Sequence, residues 1–445
     1  MTNPSLDAYQ QIFGMACIVG RAAGYTGTQD NLQLQLQYDL SFYLNNVPPV
    51  ACMKQTAPST ADPSVTTVLG SWSLVWGPAV LEEKVDGLPT GVADNALFVA
   101  QCNAVQFPGG PEMPVYAVAI SGTNPDSVFD WKDEDFAVSK VVNWNTYNPS
   151  DFTPSPYDGS EPFISGGTAV GVSNLLGLIS PDTAAAPGTS LEQFLSGAKT
   201  DPGTALIFCG HSLAGALSPT LALYLQTQKK LGAFEMTLVY PTAGPTPGEI
   251  NFANLFNNTF PALPSGWEPQ TLPYQSWNTM HWNKLDVVPH AWQKEDLQMI
   301  AAIYGHSLSK STAFNLSALQ AIAIYDASKS GATYTRIRNS SLPGTIQYWN
   351  GSTAVNVPPQ SMDDYVNQLA LQHINLYSGI KPTPNDPSGV AGLILPEPLP
   401  KSTLAGLVPG VVPILKAEII KKTIDQIIAW IAAHVDSEVK EMMAL

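Results

Sequence analysis

One run constrains the chain more than any other: Ala205-Leu206-Ile207-Phe208-Cys209-Gly210-His211-Ser212-Leu213-Ala214-Gly215-Ala216. The apolar residues before Gly210 predict a strand buried on both faces, as in a parallel sheet covered by helices. After Ser212 the pattern changes to Leu213, Leu217, Leu221, Leu223 and Leu225 with alanine between, which predicts a packed helix. A strand that passes through Gly-His-Ser into a helix makes a turn so tight that small residues must flank the serine, and its hydroxyl then projects above the sheet edge. Backbone N–H groups at the start of the new helix point to where negative charge would develop on a substrate oxygen. Short Gly-x-Ser turns are common, so the weight rests on the strand–turn–helix context.

The rest of the chain supplies matching elements. Two helices, at 6–23 and 31–44, are expected before any strand. Strands are expected at 72–76, 96–102, 115–120, 235–240 and 281–285, the third being almost continuously apolar and therefore central. Helices are expected at 130–142, 167–178, 191–198, 296–304 and 313–327, with a hairpin of 334–337 and 346–349. Strands alternating with helices mean an α/β fold with a mostly parallel central sheet. A helix with Ile420, Ile424, Ile427, Ile428, Ile431 and Val435 on one face closes the chain after a Pro-rich stretch.

Composition narrows the function classes. A net charge of -16, with Arg21, Arg336 and Arg338 the only arginines, argues against nucleic-acid binding or a polybasic membrane patch. No apolar run reaches the length of a membrane span. No basic start followed by an apolar core opens the sequence, so no signal peptide is read, and location is left as cytoplasmic or reached by a route the N-terminus does not display. Cys17, Cys52, Cys102 and Cys209 lack metal-ligand spacing, and no metal or organic cofactor is implied. Cys102 and Cys209 fall in expected core strands and read as buried, reduced thiols.

A serine becomes a useful nucleophile when an imidazole takes its proton and a carboxylate orients that imidazole. When the partners follow the serine as acid and then histidine, the histidines can be sorted. His211 belongs to the turn itself, with its ring expected to point away from Ser212. His281 precedes the best acid, His290 follows it too closely, His306 opens a helix, and His434 lies in the terminal helix. His373 remains, although a core histidine on a helix would look the same. Asp286 ends an expected strand on the carboxyl side of the sheet, where open α/β folds place function; Glu249, Asp363 and Asp364 are lesser alternatives. Thr123 follows Gly122 at the end of the central strand, so its N–H and hydroxyl could face the same oxygen as Leu213 N–H. A capping threonine in an ordinary turn would fit as well.

These stretches together resemble the class 3 lipase family. The resemblance is carried by Tyr116-Ala-Val-Ala-Ile-Ser-Gly-Thr123 with Asp130-Trp131, by Gly210-His-Ser-Leu-Ala-Gly-Ala216, by Tyr240-Pro-Thr-Ala-Gly-Pro-Thr-Pro-Gly248, by Asp286-Val-Val-Pro289 and by His373-x-x-x-Tyr377. Departures are Ala214 where the family usually has glycine, Ser121 where it often has arginine, and Ser165-Gly166-Gly167 in place of a His-Gly-Phe motif. The resemblance covers about 72–377 and implies an α/β-hydrolase fold; the hydrolase domain is read as 1–380 with the N-terminal helices included, followed by a Pro-rich linker and amphipathic helix at 381–445. It implies hydrolysis of carboxylic esters of acylglycerols, with Ser212 as nucleophile, Asp286 as acid, His373 as base, and Thr123 with Leu213 as oxyanion hole. Triacylglycerol lipase leads, phospholipase A1 and short-chain carboxylesterase follow, and a non-catalytic binding module comes last because all the reacting groups are present. The expected partners are an acyl ester or lipid substrate and a transient lipid interface. A lid is implied at 125–144, where Phe129, Trp131, Phe136, Val138, Val141 and Trp144 interleave with Asp130, Asp133, Glu134 and Asp135. The Pro/Trp-rich loop 261–277 is expected to line the opposite wall of an acyl groove.

Overall fold

Strands whose successive residues are all apolar can be buried only by covering the sheet on both sides. The computed structural model describes residues 4–50, 58–346 and 358–379 apart from residues 86, 125 and 128, with short pieces at 348–350, 353–355, 392–396 and 399–400. In it, β1 (Ser73–Leu81), β2 (Asn95–Gln106), β3 (Glu112–Ile120), β4 (Ala205–His211), β5 (Met236–Thr242), β6 (Met280–Asn283) and β7 (Asn339–Leu342) form a 7-stranded sheet in that spatial order. The first two pairings are antiparallel and all later ones parallel. The flanking helices include α1 (Ala8–Val19), α2 (Gln29–Tyr43), α3 (Gly166–Gly177), α4 (Leu213–Thr227), α5 (Ile250–Thr259), α6 (Lys310–Lys329) and α7 (Met362–Ala370). This is an α/β-hydrolase fold, its central sheet mostly parallel and flanked by helices.

Strand β4 shows how the sequence enforces the layers. Leu206 and Phe208 enter a core with Val172 and Leu175 of α3 and Leu217 and Leu221 of α4. Ala205, Ile207 and Cys209 enter the opposite core with Ile12, Phe13 and Ala16 of α1. Full burial of each large apolar side chain contributes about 1.5–3 kcal/mol relative to exposure. Helix α1 is fixed at its start by a capping box: Gln10 N–H donates to Asp7 Oδ1 at 2.9 Å, and Asp7 N–H donates to Gln10 Oε1 at 3.1 Å. It has no charged residue, which suits a helix laid against the sheet.

Several local expectations change. Residues 334–337 are not a strand; Asn339–Leu342 instead extends the sheet parallel to β6, and Tyr348–Asn350 pairs with Thr353–Val355. Of β7 only Leu342 is fully buried, so a polar edge strand left no apolar period to read. The helix expected at 130–142 is a π-helical turn, Asp130–Asp135, followed by a short strand, Val141–Asn143. The helix expected at 296–304 is broken into Lys294–Leu297 and a 3-10 turn, Ile300–Ala302.

The loop 261–277 does not line an acyl groove. Glu268 N–H donates to Gly109 O at 2.8 Å and Trp267 packs on Phe107, beside the turn that precedes β3. That end of the parallel strands is opposite the one carrying Ser212. Ile394 and Leu395 are buried in the core that holds α1, and Gln10 Nε2 donates to Ile394 O at 2.8 Å. The expected terminal helix with Ile420 to Val435, and Cys52 and His434, lie outside the described residues. Cys17, Cys102 and Cys209 are free thiols, the last two buried. Among the described residues no helix is long and apolar enough to cross a membrane.

Candidate active site

Ser212 sits between β4 and α4 with φ 62° and ψ −131°, the strained backbone of a sharp strand-to-helix turn. Its N–H donates to Thr242 O at 3.1 Å, which ties the turn to the end of β5. Close approach is what the small residues permit. A Cβ on Gly210 would stand 2.5 Å from the Cβ and from the carbonyl oxygen of Ala214. The Ala214 methyl group is therefore accommodated by the bare Cα of Gly210. Gly215 serves another contact: a Cβ there would lie 2.4 Å from Thr242 O.

The serine hydroxyl is 2.8 Å from His373 Nε2. On the far side of the ring, His373 Nδ1 lies 2.9 and 2.8 Å from Asp286 Oδ1 and Oδ2. A carboxylate can only accept, so Nδ1 carries the hydrogen and Nε2 is left to accept from the serine. Asp286 is fully buried three residues beyond the end of β6. It also accepts from Val288 N–H at 3.0 Å and from the Tyr377 hydroxyl at 2.9 Å. That hydroxyl in turn accepts Asn283 N–H at 2.6 Å. His373 and Tyr377 reach the same carboxylate because α7 passes through a π-helical turn, Leu371–Asn375, before the short helix Leu376–Ser378. Gln372, beside the histidine, accepts from Asn283 Nδ2 at 2.6 Å and pins that turn to β6.

Thr123 reaches the site through Gly122, where a Cβ would lie 2.5 Å from His211 O and 3.0 Å from the Cβ of Ser212. No side chain other than glycine's lets the end of β3 come this near. The Thr123 hydroxyl donates to Asp135 Oδ2 at 2.9 Å, so its one hydroxyl hydrogen is engaged within the protein and the residue's other donor is its N–H. Leu213 N–H opens α4, where the helix dipole favours negative charge.

The segment after Thr123 differs from the two-faced flap expected. Asp130 is fully buried and accepts Asn124 N–H at 2.6 Å; Glu134 is buried against Asn95 and Asn174. Burial pushes the Glu134 carboxyl up to about 8 and that of Asp130 well above the usual range, and neighbouring carboxylates push both further. Asp135 is pushed up to about 7 by burial, against the opposing pull of the Thr123 hydroxyl and of His373. Phe136 packs edge-on against Trp292, ring centroids 5.0 Å apart.

The remaining histidines fall elsewhere. His281 is buried with Nε2 on Ser276 O, His290 Nδ1 meets Asp286 O at 2.7 Å, and His306 is exposed in a loop. His211, expected to point away, instead lies beside His373, ring centroids 5.0 Å apart. Sequence reasoning missed both His211 and Asp135. The first belonged to a motif already assigned to turning the chain, and the second to an acidic run that reads as a solvated face. The spacing of Thr123 and Asp135 offered no periodic signal.

Residues 183–296, which include Ser212 and Asp286, match the family described as Lipase (class 3). Among solved structures the chain is similar to M37 lipase, at 22% identity and a TM-score of 0.57, over 82% of this chain and 90% of that one. It is more remotely similar to the nonglycosylated LIP2 lipase of Yarrowia lipolytica, at 15% identity and a TM-score of 0.35, over 65% of this chain and 77% of that one. Lipase II from Rhizopus niveus aligns at 14% identity and a TM-score of 0.32, over 52% of this chain and 65% of that one. No curated protein matches the chain in sequence. The resemblance to class 3 lipases thus stands on the family match and the shared fold, and it supports a hydrolase acting on esters.

Proposed function

Taking the class 3 lipase match as premise, we propose that this chain cleaves carboxylic esters of acylglycerols, triacylglycerols first, through an acyl-enzyme on Ser212. The observation that carries the reading is the unbroken chain from Ser212 Oγ through His373 to Asp286, with each hydrogen assigned by what its acceptor permits. Ser212 Oγ attacks the acyl carbonyl as His373 Nε2 takes its proton, and Asp286 stabilises the imidazolium that results. Negative charge on the tetrahedral oxygen is met by the N–H groups of Thr123 and Leu213, donors fixed before the reaction begins. His373 then returns the proton to the departing alcohol, and a water activated by the same imidazole releases the fatty acid.

Phospholipase A1 and short-chain carboxylesterase activities use the same groups and differ in what binds beyond the carbonyl. A graded series of nitrophenyl esters, emulsified triglyceride and phosphatidylcholine vesicles separates the three. Fluorophosphonate labelling tests the chemistry itself: the wild type is expected to label and Ser212→Ala not to. An unlabelled wild type would make the chain a hydrolase-fold binding module.

A further inference from the structure

Ser212, His373 and Asp286 fix the two ends of an imidazole, but none of these contacts holds the main chain from which that imidazole hangs. A third contact does. His211 Nε2 lies 2.7 Å from the carbonyl oxygen of His373, and His211 Nδ1 lies 3.0 Å from Thr242 Oγ1. A carbonyl can only accept, so Nε2 carries the hydrogen. Burial and the nearby His373 push the His211 ring down to about 3, so it is neutral, and its Nδ1 is an acceptor facing the Thr242 hydroxyl, which also reaches Gly210 O at 3.2 Å.

We propose that His211 is a positioning residue for the base, its Nε2–H holding the His373 carbonyl so that the elbow carrying Ser212 also sets the height of the imidazole. This rests on the ester-hydrolase reading above. Two adjacent residues thus grip His373 from one rigid turn, one by its ring and one by its main chain. Thr242 supports both, accepting Ser212 N–H at 3.1 Å through its carbonyl and meeting His211 at its hydroxyl. Phe13 of α1 and Tyr377 stand edge-on to the His211 ring, with centroids 5.9 and 5.0 Å away, and keep it in plane. A neutral ring matters here, because His373 becomes cationic during the reaction and a second charge beside it would oppose the proton transfer.

The test compares His211→Asn with His211→Gln, two amides that differ by one methylene. Glutamine places an N–H near the former Nε2 and can still reach the His373 carbonyl; asparagine cannot. On a soluble nitrophenyl ester, His211→Asn is expected to lower kcat about 30-fold with KM unchanged, and His211→Gln to stay within about threefold of wild type, since small misplacement of a reacting group is costly. The rate of fluorophosphonate labelling at Ser212 should follow kcat, while the two variants melt at similar temperatures. Equal kcat in the two variants, whether both intact or both impaired in step with melting, would overturn the positioning role. A wild type that neither labels nor turns over ester would overturn the hydrolase reading and this inference with it, and the wild-type control separates that result from the first.

Discussion

The hydroxyl of Tyr377 and the Nδ1 of His373 meet on one oxygen of Asp286, at 2.9 and 2.8 Å. The carboxylate is therefore held from two sides by residues of a single helical segment. Tyr377→Phe would leave Asn283 N–H without its acceptor and Asp286 with one donor fewer. The expected cost is about 1–3 kcal/mol of stability for the buried group left unpaired. If about 1.4 kcal/mol of it is also lost from the transition state, kcat falls about tenfold. Thermal melting and turnover measured together check this; an unchanged melting temperature would show that the hydroxyl is dispensable.

Ser212→Ala and His373→Ala should each lower kcat by on the order of 10⁴-fold or more, and the double variant should be scarcely worse, because the proposed nucleophile and base would act as a unit. Asp286→Asn should also be severe. Multiplicative losses in the double variant would mean that the two side chains serve separate steps.

At the elbow, Gly210→Ala should destabilise the fold strongly, because its Cβ meets both the side chain and the carbonyl of Ala214 at 2.5 Å. Ala214→Gly removes only the first of these contacts, so the double variant should remain unstable while Ala214→Gly alone folds and stays active. Denaturation midpoints of the three variants decide the matter. A rescued double variant would show that the backbone at 214 can yield.

Asp135 supplies a pH signature. In the unfolded chain its carboxyl loses its proton near 3.8, and in the fold near about 7. Between these values the folded state binds the extra proton, so stability falls as pH rises through the window and stays lower above it. Asp135→Asn keeps an acceptor for the Thr123 hydroxyl and has no proton to lose. It should melt with the wild type near pH 3.5 and a few degrees above it at pH 8, the gap opening between about pH 4 and 7. A gap independent of pH would contradict the assignment.

The contact between Phe136 and Trp292 bears on access. If the segment that begins at Asp130 shifts when the protein meets lipid, Phe136→Ser should weaken the rise in rate on emulsified long-chain ester more than it changes hydrolysis of a soluble short-chain ester. Rate curves taken across the solubility limit test this, and equal effects on the two substrates would indicate a site open at all times.

The layered sheet was legible because two-sided burial leaves continuous apolar runs such as 205–209 and 115–120, which no solvent-exposed element can carry. The meeting of Ser212, Asp286 and His373 was legible from order along the chain, acid before histidine after the serine. Other features left no such trace. Strand β7 is Asn-Ser-Ser-Leu, a polar edge with no apolar period, paired along β6 through its backbone. The π-helical turn at 371–375 has no compositional mark. Asp130 and Glu134 read as solvated because charge predicts exposure, and their burial depends on Asn95, Asn124 and Asn174 contributed from other elements. His211 shows the same limit, since its role depends on a carbonyl 162 residues away.

Helix α1 packs against β3 and β4, and its Phe13 reaches His211 and Tyr377. During synthesis, however, α1 leaves the ribosome long before β4, the strand that supplies a large part of the surface covering it. At about 5–20 residues per second that interval is on the order of 10–40 s. For that time an uncharged, largely apolar helix can dock only on α2, β2 and β3, the partners already made. The face of α1 turned toward β4 thus stays uncovered for that interval in any host producing this chain.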